Sequence, residues 1–203
     1  MPTFQNPIIP GFYPDPSVCR VGEDFFLVNS SFEYFPGVPV GHSRDLIHWR
    51  QIGHVLTRRS QLELAGVKCS DGIYAPTIRF HDDTFYVITT WVNAGVYRNF
   101  YVMATNPAGP WSDPIWYDQS GIDPSLLFDD DGKVYFQSNR GMTFRMERAI
   151  YQSEMDIRTG KRLTEPKLLW RGSGGSYVEG PHVYQRDGWY YLLTAEGGTS
   201  YGH

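Results

Sequence analysis

A proline-centred segment recurs four times along the chain, each time leading into a charged turn and an aromatic-rich run: YPDPSVCRVGEDFFLV (13–28), YAPTIRFHDDTFYVIT (74–89), IDPSLLFDDDGKVYFQ (122–137) and EGPHVYQRDGWYYLLT (179–194). The prolines Pro16, Pro76, Pro124 and Pro181 lie 60, 48 and 57 residues apart, a period that marks propeller blades or solenoid arrays. Equivalent positions in successive blades converge on one axis. Asp15, Asp123 and Glu179, each one or two residues before its repeat's proline, are therefore predicted to meet in space although they are far apart in sequence.

The first three segments are each followed by a second half, at 38–56, 100–117 and 150–170. Short runs of Phe, Tyr, Val, Ile and Thr are bounded by Gly, Pro, Asn and Asp, and helical periodicity is hard to find, so the chain reads as all-β. Four strands in each repeat is the content of a propeller blade. Trp49, Trp111 and Trp170 recur at similar phase in the second halves and are expected to fill the wedges between blades. Three repeats are complete and the fourth stops after its first two strands, giving about three and a half blades. A closed toroid needs at least four, so residues 1–203 are expected to be an incomplete catalytic propeller from the N-terminal part of a longer protein, with an exposed strand edge at its end.

Charge and cysteine content narrow the function classes. The net charge is −4 with basic residues scattered, which gives no footprint for a phosphate backbone and argues against nucleic acid. No window reaches the roughly eighteen apolar residues of a membrane helix, and MPTFQNPIIPGF lacks a basic and an apolar leader region. Cys19 and Cys69 are read as free thiols, without the spacing of a zinc site. Together these suggest a cytoplasmic protein with no membrane partner.

A set of axial carboxylates suits glycosidic-bond hydrolysis, in which one acid protonates the leaving oxygen and one carboxylate activates water or attacks the sugar. Asp15 is flanked by Pro14 and Pro16, which stiffen the backbone and remove two amide donors, as suits a base that must aim a water molecule. Glu179, beside Gly180 and Pro181, has the longer reach expected of an acid. Asp123 would stand between them and help keep Glu179 protonated. Ala75 holds the matching place in the second repeat, so the repeat itself does not demand an acid there.

The segments NPIIPGFYPDPS (6–17), SSFEYFPGVP (30–39), GIYAPTIR (72–79), NPAGPWSDPIW (106–116), GIDPSLLFDDDGKVY (121–135), YVEGPH (177–182) and TAEGGTSYGH (194–203) together resemble glycoside hydrolase family 43 over essentially the whole chain. That resemblance implies a five-bladed β-propeller and an inverting mechanism with Asp15 as general base, Glu179 as general acid and Asp123 as the residue that orients and tunes the acid. It implies further that Phe32 and Tyr74 wall a sugar subsite and that Thr199 lies near the sugar; His182, beside the acid, either contacts the sugar or supports Glu179. The family's fifth blade and the C-terminal β-sandwich of many members are absent from these residues.

The motif set looks most like the exo-acting α-L-arabinofuranosidases and mixed arabinofuranosidase/β-D-xylosidases of the family, with arabino- or xylo-oligosaccharides as substrates. No cofactor is implied. Some members hold calcium in the axial channel, but no ligand for it is identified here, and Asp129, Asp130, Asp131 and Gly132 read as a hairpin turn because the acids are contiguous. Two other readings stay open: a WD-type interaction scaffold, although the GH and WD dipeptides are not in phase, and a truncated, inactive sugar-binding propeller fragment.

Overall fold

A computed structural model describes residues 3–140 and 148–199. The described residues form fifteen strands and no helix. The first sheet runs in the order β1 (Ser17–Val21), β2 (Asp24–Val28), β3 (Gly37–Ser43), β4 (Arg50–Leu56), and the second in the order β5 (Gly72–His81), β6 (Thr84–Asn93), β7 (Val96–Ala104), β8 (Ile115–Tyr117). The third contains β9 (Ile122–Phe128), β10 (Val134–Arg140) and β11 (Ala149–Asp156), with β12 (Lys161–Arg162) and β13 (Lys167–Trp170) pairing different stretches of β11, so that the two share the outermost position. The last is the hairpin β14 (Glu179–Arg186) and β15 (Trp189–Ala195). Three full antiparallel blades and half of a fourth match the repeat count.

The first strands of the blades face one another in series, β1 against β5, β5 against β9 and β9 against β14. Hydrogen bonds stitch them. The Ile78 amide donates to Ser17 Oγ at 3.2 Å, and Arg79 Nε donates to the Leu126 carbonyl at 3.0 Å. Asn139 Nδ2 donates to the Val178 carbonyl at 2.5 Å, tying the third blade to the approach of β14.

Alternating strands place apolar residues between blades. One core joins the first two blades through Val28, Val40, Val55, Ile78, Phe85, Val102 and Trp111, and a second joins the next pair through Ile88, Tyr101, Tyr117, Leu126, Phe136 and Met155. Fully burying a side chain of this size contributes roughly 1.5–3 kcal/mol. Trp111, 3 % exposed, fills a wedge as expected. Trp49 does not: its indole is tied to its own turn by a 2.9 Å bond to the Leu46 carbonyl. Trp170 is 44 % exposed on β13, on the side where the next sheet has only two strands among the described residues. Asp129–Gly132 is the expected turn, closed by the Gly132 amide on the Asp129 carbonyl at 3.0 Å. Cys19 lies in β1 and Cys69 in the loop before β5, both unpaired.

Candidate active site

The proline repeat explains how the acids reach the axis. Proline has no amide to give to a ladder and within sheets occupies edges, strand starts or bulges. Pairing of β5 with β6 shifts register between Tyr74 and Thr77, across Ala75–Pro76. The β14–β15 pairing shifts between Glu179 and His182, across Gly180–Pro181. The β9–β10 pairing shifts between Gln137 and Asn139, opposite the Asp123–Pro124 end of β9. A bulge bends its strand and re-aims the local side chain, and here each bulge falls at the axial end of a blade's first strand.

Asp15, Asp123 and Glu179 line a cavity of about 560 Å³ together with Pro16, Ala75, Pro76, Thr77, Gly180, His182 and Thr199. The three acids come from the approach to β1, from β9 and from the start of β14, so each is supplied by a different blade. A cleft of about 710 Å³ between the third blade and the β14–β15 hairpin is larger, but none of the three converging acids lines it.

Asp15 and Asp123 adopt φ of 53° and 54°, a left-handed conformation that aspartate tolerates better than most residues. The turn holding Asp15 is clamped from the end of β2. Ser30 Oγ donates to Asp15 Oδ2 at 2.5 Å, the Ser30 amide donates to the Pro14 carbonyl at 3.1 Å, and Asn29 Nδ2 donates to the carbonyls of Tyr13 and Pro14 at 2.9 and 3.2 Å. Asp123 Oδ2 accepts the Gly180 amide at 3.1 Å, which couples the middle acid to the backbone beside Glu179. Asp123 keeps partial contact with the cavity, yet its surroundings are dense enough that desolvation pushes its pKa up to about 7, helped by the charges of Glu179 and Asp15 and opposed by the Gly180 amide. A carboxyl poised near neutrality among other acids is a usual mark of a functional site.

The other expected residues divide into two groups. His182 and Thr199 line the cavity. Phe32 and Tyr74 pack edge-to-face on each other, with ring centroids 5.4 Å apart, and Phe12 adds a third ring 5.8 Å from Phe32; none of the three lines the carboxylate cavity itself. Tyr74 is nevertheless close enough for the Asp123 charge to raise its pKa, after the larger effect of burial and those of Asp71 and Tyr97. Phe32 and Ile73 exchange backbone hydrogen bonds of 3.0 Å, which docks the loop after β2 onto β5. The last four residues of the expected TAEGGTSYGH motif, 200–203, lie outside the described residues.

Three contributors were not anticipated from sequence: Ser30 and Asn29, which hold the Asp15 turn, and Arg79, whose Nη2 meets His182 Nδ1 at 3.0 Å. Ser30 and Arg79 lie inside segments that carry the family resemblance and Asn29 directly precedes one, and that was their only signal. Among the described residues no group of three His, Cys, Asp or Glu side chains is arranged to hold one metal ion.

The sequence pattern of glycosyl hydrolases family 43 matches residues 4–203. A xylosidase/arabinosidase of Butyrivibrio fibrisolvens is 50 % identical over 208 residues, covering 98 % of this chain and 40 % of the relative. A non-reducing end alpha-L-arabinofuranosidase of Bacteroides ovatus is 51 % identical over 99 % of this chain and 37 % of the relative. The crystal structure of a xylan beta-1,4-xylosidase from Bacillus halodurans superposes with a TM-score of 0.93 at 45 % identity, covering 99 % of this chain and 40 % of that one. The chain thus spans about 40 % of the length of these proteins. With repeats, blade order and a match over nearly every residue in agreement, the chain belongs to glycosyl hydrolases family 43.

Proposed function

We propose that the protein containing this chain is an inverting exo-glycosidase that removes α-L-arabinofuranosyl or β-D-xylosyl units from the non-reducing ends of hemicellulose-derived oligosaccharides. The observation that carries this reading is the convergence of Asp15, Asp123 and Glu179, from three separate blades, on one cavity. The names of the Butyrivibrio and Bacteroides relatives support the two sugars.

Glu179 gives its proton to the glycosidic oxygen as the C–O bond breaks. Asp15, held by Ser30, takes a proton from a water molecule whose oxygen bonds to the anomeric carbon from the opposite face. Asp123 stands between them: neighbouring carboxyls in a desolvated site hold a proton that isolated ones would release, which keeps an acid available near neutral pH. After turnover the proton gained by Asp15 and the one lost by Glu179 return through solvent.

The test is hydrolysis of p-nitrophenyl α-L-arabinofuranoside and p-nitrophenyl β-D-xylopyranoside by the protein and by Glu179→Ala, with folding checked by circular dichroism. Turnover that the substitution abolishes supports the reading and ranks the sugars. A folded protein that binds arabinose or xylose without hydrolysing either glycoside would replace it with a sugar-binding module.

A further inference from the structure

We infer that Arg79 is a positioning residue which fixes His182 as a neutral imidazole with its proton on Nε2, so that His182 donates a hydrogen bond to a sugar hydroxyl oxygen in the carboxylate cavity. This rests on the glycosidase reading for its ligand, but the tautomer follows from geometry alone.

A guanidinium has only donors. Arg79 spends them on three strands: Nε on the Leu126 carbonyl in β9 at 3.0 Å, Nη1 on the Ile78 carbonyl in β5 at 3.0 Å, and Nη2 on His182 Nδ1 in β14 at 3.0 Å. A nitrogen facing such a donor must accept, so Nδ1 carries no proton and a neutral ring must carry it on Nε2. Protonating Nδ1 would set two N–H groups and two positive charges against each other.

The surroundings hold the arrangement in place. Tyr184, two residues along β14, lies parallel to the His182 ring with centroids 6.1 Å apart, and the Arg79 guanidinium sits 5.3 Å from the centre of the Tyr184 ring. Cys19 in β1 also feels the Arg79 charge, and burial holds that thiol neutral, its pKa pushed up to about 12. The groups sharing the cavity with His182 are Asp15, Asp123 and Glu179. Burial and then the Arg79 charge push His182 down to about 4, so the donor does not change character across the neutral range.

Placing a guanidinium among carbonyls, an imidazole and a phenol ring is a costly way to join strands, because it leaves a desolvated cation without a carboxylate. An aliphatic side chain would fill the same space. What the guanidinium adds over an aliphatic side chain is a donor that selects the tautomer, and His182 is the member of its surroundings that reaches the cavity.

The first measurement is imidazole ¹⁵N NMR on the unsubstituted protein between pH 5 and 8. A His182 signal with the proton on Nε2 and no titration is expected; a proton on Nδ1, or titration near 6.5, overturns the inference without bearing on whether the protein is a glycosidase. The second is kinetics. Arg79→Met is expected to lower kcat/KM by about tenfold, the worth of one hydrogen bond, and to raise the His182 ionisation above about 4 as the Arg79 charge is removed, with burial still holding it below the free imidazole value. Arg79→Lys, which retains the cation and a donor, should recover most of the loss, and His182→Gln should retain more activity than His182→Ala. A folded Arg79→Met with the parent pH profile and kcat/KM would refute the role. If that variant does not fold, the NMR result on the parent protein decides.

Discussion

Asp15 and Asp123 share a backbone conformation that is costly for nearly all residues with a Cβ, and their φ of 53° and 54° exposes a trade between stability and chemistry. Glycine relieves the strain and alanine keeps it. Asp15→Gly is therefore expected to be more stable than Asp15→Ala by about 1 kcal/mol in urea denaturation, while both lose hydrolysis by at least about a hundredfold. Asp123 gives the pH signature. Its pKa in the folded protein, about 7, lies above the ordinary 3.8, so the folded state binds the extra proton between those values. Its contribution is most favourable below about pH 4 and is lost as pH rises through 7. Asp123→Asn should accordingly gain stability over the parent as pH increases from 4 to 7, and a difference independent of pH would contradict the shift. His182 has the opposite slope. Its lowered pKa means that its contribution is complete above 6.5 and falls away as pH drops toward 4, which is why the comparison is made with the substitution rather than with the parent's pH profile alone.

At the scale of the strand, the axial end of β9 depends on a close backbone approach. A Cβ at Gly121, whose φ is +127°, would stand 2.0 Å from the Asn139 carbonyl oxygen, whereas one at Gly132, with φ of +80°, would meet nothing within 4 Å. Gly121→Ala should lower stability by about 3 kcal/mol or more, from overpacking added to strain, and Gly132→Ala by only about 1 kcal/mol from strain; thermal unfolding of the pair separates close approach from conformation. The contrast also shows what sequence could and could not convey. The proline repeat identified the first strand of every blade and the acids beside it, because proline excludes itself from a regular ladder and alternation marks the rest. It could not show that Gly121 faces a carbonyl eighteen residues away, or that Arg79 reaches from β5 to His182 in β14. These contacts depend on how blades stack, and pairwise proximity between repeats has no local signature. Trp49 shows the same limit: periodic placement locates a residue within a blade, while its burial depends on what lies against that blade.

Across the described residues, the blades differ in how well they are covered. The first three sheets bury their faces against neighbours, while the β14–β15 hairpin presents Trp189 at 70 %, Tyr191 at 55 % and Leu193 at 61 % exposure on one face, and Tyr190 at 54 % on the other. Among the described residues β15 pairs only with β14, so its second edge offers open amides and carbonyls along a stretch rich in strand-forming side chains. An apolar edge of this kind is a template for another strand. Chains limited to these 203 residues are therefore expected to self-associate as concentration rises, seen as an increasing average mass in sedimentation equilibrium. Leu193→Lys should suppress that association, because a charge on an edge strand opposes strand addition. It should leave the Asp15–Ser30 clamp intact, since that contact lies in the first blade. Sedimentation as a monomer at all concentrations would mean that the hairpin's exposed edge is protected by some arrangement other than pairing, and equal association of the Leu193→Lys chain would move the contact away from β15.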